Sequence, residues 1–194
     1  MAATFAAAIA ASLFGPHASA QQGDRGSGPV RSAGKGEAAM EAPSPRPGTY
    51  DTDRLWGLIE ELAVAADAGA TALLRRWPAG HIQVPAAASS RLRSIEGGRF
   101  TIGRGTIVAR SEIRLGRANE VVLVGLDMAP SSCIARADVQ ARYPELRITG
   151  FAAPDDPHRK RYWSVSSDKG SISFGFAEPR PDCVSNIVID PHAG

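Results

Sequence analysis

Residues 161–177 read RYWSVSSDKGSISFGFA, and that stretch decides the fold. Ser167-Asp168-Lys169-Gly170 is a turn signal, and residues 161–166 and 171–177 on either side of it read as strands, so the stretch is a β hairpin. After it, Pro179-Arg180-Pro181-Asp182 turns the chain again and residues 184–190 form a closing strand. Before it, residues 152–160 are a Pro/Asp loop and 146–151 another strand. Residues 135–143 read as a short helix, with Asp138 in its first turn and Pro144 closing it. One helix followed by antiparallel strands is thus the plan of this half.

The other half reads alike. Leu55, Ile59, Leu62, Ala66, Ala70, Leu73 and Trp77 recur at three- and four-residue steps, one face of a helix that Thr52 or Asp53 can cap. Glu60 and Glu61 early and Arg75 and Arg76 late suit the helix dipole. Pro78 stops the helix, while Gly57 and Gly69 allow a bend or a break. Ile82 and Val84 then alternate with His81 and Gln83 in β fashion, and residues 86–98 read as a loop. Residues 100–102 and 106–115 flank the turn Gly103-Arg104-Gly105. Gly116-Arg117-Ala118-Asn119 is the next turn, and residues 120–127 form a Val/Leu-rich strand of the kind found centrally in a sheet.

Arg76-Trp77-Pro78 with Ile82 lies 66 positions before Arg142-Tyr143-Pro144 with Ile148 (142 − 76 = 66). Each half closes on a Val-rich strand ending in an Asp, at Asp127 and Asp190. Two accounts fit: a duplication with half-repeats 53–130 and 131–194, or an α+β fold whose halves alternate the same elements. Both predict an α+β domain over 53–194, an antiparallel sheet of six to eight strands with two helices packed on one face.

The chain's 194 residues are 43% hydrophobic with a net charge of +2. Disorder throughout is excluded by the ordinary apolar fraction. A multi-pass membrane protein is excluded by the want of long uncharged apolar runs, and a dedicated nucleic-acid binder by the near-neutral charge. Residues 1–20 hold no charged side chain. Phe5, Ile9, Leu13 and Phe14 lie in an Ala-rich run that Pro16 breaks, and Ala18-Ser19-Ala20 follows. This is the layout of a secretory signal with an A-x-A cleavage site. No Lys or Arg precedes the apolar core, so either the signal is atypical or the true start lies upstream. No cysteine follows that core, which argues against a lipid anchor. Residues 21–52, with six Gly and four Pro, read as a disordered tether. The expected address is periplasmic or secreted, with no membrane-spanning segment after cleavage. Cys133 and Cys183, the two cysteines of the chain, most simply form one disulfide in such a compartment. Two free thiols or a shared metal site are the alternatives.

The helix opened by Arg136-Ala137-Asp138-Val139, the aromatic pairs Tyr162-Trp163 and Phe174-Gly175-Phe176, and the closing strand over 184–189 together resemble the BamE/SmpA-type envelope module. In tandem form they resemble the β-lactamase-inhibitor-protein-like fold. The likeness covers about a third of the chain and rests on element order and a few aromatic positions. The lipid-anchor cysteine of BamE-type lipoproteins is missing. What the resemblance implies is protein binding through a sheet face rather than chemistry.

A catalytic set needs a nucleophile or metal, a base and an orienting group within reach of one another. His81, His158 and His192 sit at a strand start, in the Pro/Asp loop and near the C-terminus. Ser131-Ser132 lacks the nucleophile-elbow pattern, and no zinc-protease, phosphate-loop or calcium-loop motif occurs. Asp155 and Asp156 beside His158 are the one acidic cluster from which a hydrolase could be built. Charge is more informative. Residues 91–117 hold seven Arg against two Glu, and Arg104, Arg110, Arg114 and Arg117 share a face wherever β alternation holds. Arg159, Lys160 and Arg161 run into Tyr162 and Trp163. Basic residues beside aromatics bind acidic protein surfaces; the bland alternative is a charged sheet face that blocks edge pairing. The function expected is therefore a non-catalytic exported protein-binding module whose partner is a protein with an acidic surface. No nucleic acid, cofactor or metal is expected, and the oligomeric state is left open. The alternatives are an inhibitor or immunity protein for an exported enzyme, and a hydrolase using the Asp155/Asp156/His158 loop.

Overall fold

A computed structural model describes residues 51–84, 91–151 and 159–192. The residues read as a leader, 1–20, those read as a tether as far as residue 50, and the loop with Asp155, Asp156 and His158 lie outside the described residues.

The first helix starts one residue earlier than its sequence signals. Asp51 is the cap, its carboxylate accepting the Arg54 N–H at 3.4 Å, and Thr52 and Asp53 already lie inside α1, Thr52–Asp67. Leu55, Trp56, Ile59, Leu62 and Ala66 form its buried stripe. Gly69, with φ at 101°, breaks the helix, because that left-handed conformation is open to glycine at little cost. A second helix, α2, resumes at Ala70–Arg76. The apolar stripe crosses the break, so the periodicity reads as one helix where the backbone forms two. With α3, Arg136–Arg142, the described residues hold three helices rather than two.

Nine strands complete the described chain: β1 Ile82–Val84, β2 Arg93–Glu96, β3 Phe100–Ile102, β4 Thr106–Leu115, β5 Val121–Met128, β6 Arg147–Gly150, β7 Lys160–Ser167, β8 Gly170–Ala177 and β9 Val184–Asp190. Every pairing is antiparallel, in the order β1-β2-β4-β5-β9-β8-β7-β6, with β3 paired to β4. The expected class, an antiparallel sheet with α+β character, therefore holds; the expected strand count of six to eight is low. The extra strand is β2, which sits inside the stretch read as a loop. Its one buried residue is Ile95, opposite Ile113, too little apolar signal to register as an alternation.

The two Val/Ile-rich strands meet in the middle. Val124 pairs with Ile189, Gly125 with Val188, Leu126 with Ile187 and Asp127 with Asn186. The short first strands of the two halves, β1 and β6, lie at opposite ends of the sheet, and their equivalent residues Ile82 and Ile148 are both exposed.

Register fixes which side chains share a face, since successive residues alternate. One row across the sheet runs Ile148, Trp163, Phe174, Ile187, Leu126, Ser111. The next row on that face runs Val165, Ile172, Ile189, Val124, Ile113. Most of these belong to a single buried core together with Leu55, Ile59, Leu62 and Leu73 from the helices. Trp56 of α1 meets Phe174 edge-on at 6.2 Å, and Tyr143 at the end of α3 meets the same ring at 5.5 Å. On the other half, Trp77 meets Phe100 at 6.1 Å and its indole N–H donates to the Gly97 carbonyl at 2.8 Å. The aromatics that end α2 and α3, Trp77 and Tyr143, thus lock those helices to the sheet.

Cys133 and Cys183 stand as a disulfide, with Cα atoms 4.9 Å apart. Among the described residues no helix is long and apolar enough to cross a membrane.

Candidate functional site

The face opposite the core begins with a bulge. Between Val108 and Arg110 the β4–β5 register slips by one residue. Thr106 and Val108 point into the core before the slip, and Ser111, Ile113 and Leu115 after it. Simple alternation would have set Arg110 and Arg114 in phase with buried Val108. The extra residue turns them outward instead, which is a common use of a bulge.

Arg110 then lies in a row with Asp127, Asn186, Gly175 and Tyr162. A side chain at position 175 would collide with the Asn186 carboxamide and come within 3.0 Å of the Tyr162 ring. Glycine there is what lets the tyrosine lie along the sheet, where Asn186 donates to its hydroxyl at 3.4 Å. The neighbouring row is small and polar: Glu112, Gly125, Val188, Ser173, Ser164. Thr149, Ser164 and Ser173 are linked hydroxyl to hydroxyl at 2.5 and 2.6 Å. The second half of this face is therefore a low-relief strip of hydroxyls and glycine with one aromatic.

Charge is concentrated on the first half. Arg114 grips Glu112 with two nitrogens, at 3.1 and 3.2 Å, and Ser94 donates to the same carboxylate at 2.8 Å. Partial burial alone would raise the Glu112 carboxyl; the hydrogen bonds from Arg114 and Ser94 and the charges of Arg114 and Arg110 outweigh it and hold the group below its ordinary 4.5. A carboxyl lowered by folding stabilises the native state at neutral pH, and that contribution is lost as pH falls through the folded value. Glu112→Gln is accordingly expected to cost about 1 kcal/mol at pH 7, given the solvent exposure of Arg114. The difference from the parent protein should shrink to nothing well below pH 4.5. Urea titrations of both proteins across that range check this; a cost that persists in acid would mean packing rather than charge.

The remaining expected residues separate. Arg104 lies in the β3–β4 turn and Arg117 in the β4–β5 turn, at opposite ends of a strand of ten residues. A strand of that length spans roughly 30 Å, so the two turn arginines do not meet each other. Lys160 reaches Asp127 at 4.0 Å and so sits with Tyr162 on the outer face. Arg159, at φ 40°, pairs with Glu178 at 3.0 Å. Arg161 and Trp163 alternate with Tyr162 and face the opposite side, where the Arg136 guanidinium lies 5.9 Å from the centre of the Trp163 ring. The run of basic and aromatic residues thus supplies two surfaces, not one. Asp127, Asn186 and the hydroxyl ladder were missed by sequence reasoning, because single Ser, Asn and Asp residues carry no periodic signal.

Among the described residues the catalytic candidates do not gather. His81 and His192 are exposed, and Ser132 is buried with its hydroxyl accepting the Ile107 N–H at 2.8 Å, which makes it a structural tie. Among the described residues no cluster of three or more His, Cys, Asp or Glu could hold a metal ion. No family model matches the chain, and neither a curated protein nor a solved structure matches it.

Proposed function

We propose that the chain is a non-catalytic, exported protein-binding module that presents the outer face of its sheet to a partner with an acidic surface. The observation that carries this is the row that puts Arg110 and Tyr162 on one face, with Arg114 beside it and small Ser and Gly residues between. The helices lie against the other face in this reading, supported by the contacts of Trp56 and Tyr143 with Phe174. The leader and the disulfide support export. Aromatics and Arg are the side chains that carry most binding energy at protein interfaces.

A tandem origin of the two halves belongs to the same proposal. Each half is helix followed by strands, and the halves join through equivalent last strands. With an offset of 63 (187 − 124, 188 − 125 and 189 − 126), the pairs Val124–Ile189 and Leu126–Ile187 exchange, and Gly125–Val188 maps onto itself. Any antiparallel pair exchanges so about its own centre; what supports a tandem origin is that the strand-ending Asp127 and Asp190 have the same offset (190 − 127 = 63). It supports the likeness to the β-lactamase-inhibitor-protein-like fold and, with it, a second reading as an inhibitor or immunity protein whose partner is an exported enzyme. The hydrolase alternative rests on residues outside those described.

The test is site-specific photo-crosslinking in cells that export the full chain. A crosslinking residue at Ser173 or Val188 should give one discrete adduct, and Arg110→Glu with Arg114→Glu should remove most of it. The same residue at Glu61, on α1, should give none. No adduct from the sheet positions, or equal adducts from Glu61, would overturn the proposal.

A further inference from the structure

We infer that a second, separate site at the β6–β7 edge, on the face opposite Tyr162, takes an extended acidic peptide strand bearing apolar side chains. A cavity of about 340 Å³ opens there. Its apolar lining comes from Ile148, Trp163 and Phe176, with Trp163 paired to Ile148 and Arg161 paired to Phe176. Phe176 is buried, whereas Ile148 is 43% exposed and Phe151 beside it 76% exposed. Large apolar residues left in water at a concave site mark a binding surface more often than scattered ones do.

Positive charge surrounds this lining. Arg136, Arg159 and Arg161 line the cavity with one acid, Glu178. Glu178 is taken by Arg159 at 3.0 Å, and Arg136 is held by Asp182 at 3.1 Å. The Arg161 guanidinium has neither an ion pair nor a hydrogen bond among the described residues. A cation without an acid among the described residues, beside an indole and a phenylalanine, is matched by a carboxylate flanked by aliphatic groups.

The form of that ligand follows from the edge. β6 pairs with β7 on one side and is the last strand of the sheet on the other. An added strand would complete its backbone hydrogen bonds and would send alternate side chains onto the cavity face beside Ile148. The occupant is therefore a segment of a partner protein in extended form, with apolar and acidic residues alternating by two.

A suitable probe is the labelled peptide Ac-Thr-Val-Thr-Glu-Thr-Val-NH2, which puts Val and Glu on one face. Trp56 and Trp77 are only 7% and 8% exposed, so a change in acrylamide quenching reports chiefly on Trp163. The peptide should bind the full chain saturably by anisotropy and protect Trp163. Replacing its Glu by Lys, or Arg161→Glu in the protein, should weaken binding about tenfold or more. Methylating alternate backbone nitrogens should abolish binding in one register and spare it in the other. The crosslink from Ser173 should survive Arg161→Glu, which keeps this site distinct from the outer face. Unchanged binding by Arg161→Glu, indifference to methylation in both registers, or Trp163 protection by phosphatidylglycerol vesicles but not by the peptide would each overturn the inference.

Discussion

Replacing Phe174 with alanine is expected to lower the free energy of unfolding by about 3–5 kcal/mol, the usual cost of truncating a buried core aromatic. The side chain is fully buried, in register between Trp163 on β7 and Ile187 on β9. Its ring also takes Trp56 from α1 and Tyr143 from the end of α3, and those two meet each other edge-on at 5.9 Å. Aromatic pairs of this kind add roughly 0.5–1.5 kcal/mol beyond the area they bury. The two helices come from different halves of the chain, so a cavity at 174 loosens both at once. Phe174→Leu keeps most of the volume and should recover more than half of the loss. Urea titration followed by circular dichroism measures both. A cost below about 1 kcal/mol for alanine would mean that the helices do not depend on this ring.

Much of this arrangement was legible in the sequence where apolar residues repeat. The alternation around Ser167-Asp168-Lys169-Gly170 locates β7 and β8, and the turn itself is held by Gly170 at φ 100°. The Val/Ile runs locate β5 and β9, and the likeness of Trp77-Pro78 to Tyr143-Pro144 anticipates two helix–strand junctions. What escaped has a common cause. β2 buries one side chain, and Asp51 caps from just outside the periodic stretch. Each is a backbone event without a hydrophobic signature. The central pairing of β5 with β9 was equally silent, because nothing in a strand's own residues names its partner.

The site was legible as an inventory and not as a surface. Arg110, Arg114 and Tyr162 belong to one face, but only the one-residue slip between Val108 and Arg110 puts them there. Neighbours in sequence, Tyr162 and Trp163, were expected to act together and instead serve opposite faces, as strand geometry requires. Clusters counted along a chain merge what a sheet separates. That separation is also why two binding surfaces are proposed: Tyr162 with Arg110 on one side, Trp163 with Arg161 on the other.

Removing the disulfide by Cys133→Ala with Cys183→Ala is expected to cost up to about 4 kcal/mol, from the loss of a cross-link that closes a loop of about 50 residues in the unfolded chain. The loss should not fall evenly. Both cysteines belong to the second half, and the link ties the approach to α3 to the start of β9. Backbone bonds run beside it, from the Val184 N–H to Ile134 and from the Arg136 N–H to Asp182, at 3.0 and 2.9 Å. The Arg180 guanidinium adds a bond to the Ser132 carbonyl at 2.8 Å. Those contacts keep the native register without the sulfurs, so the double variant should still fold. Its α3 and β6 should then lose amide protection before β4 and β5 do. Arg136 sits three residues after Cys133 (136 − 133) and lies over Trp163, so loosening α3 should also raise acrylamide quenching of Trp163 and weaken the acidic peptide at the edge cavity. The outer-face crosslink at Ser173, on a strand paired on both sides by β7 and β9, should change little. Uniform loss of protection across both halves would show that the link stabilises the sheet as a whole, and two alkylatable thiols in the native protein would show that it does not form.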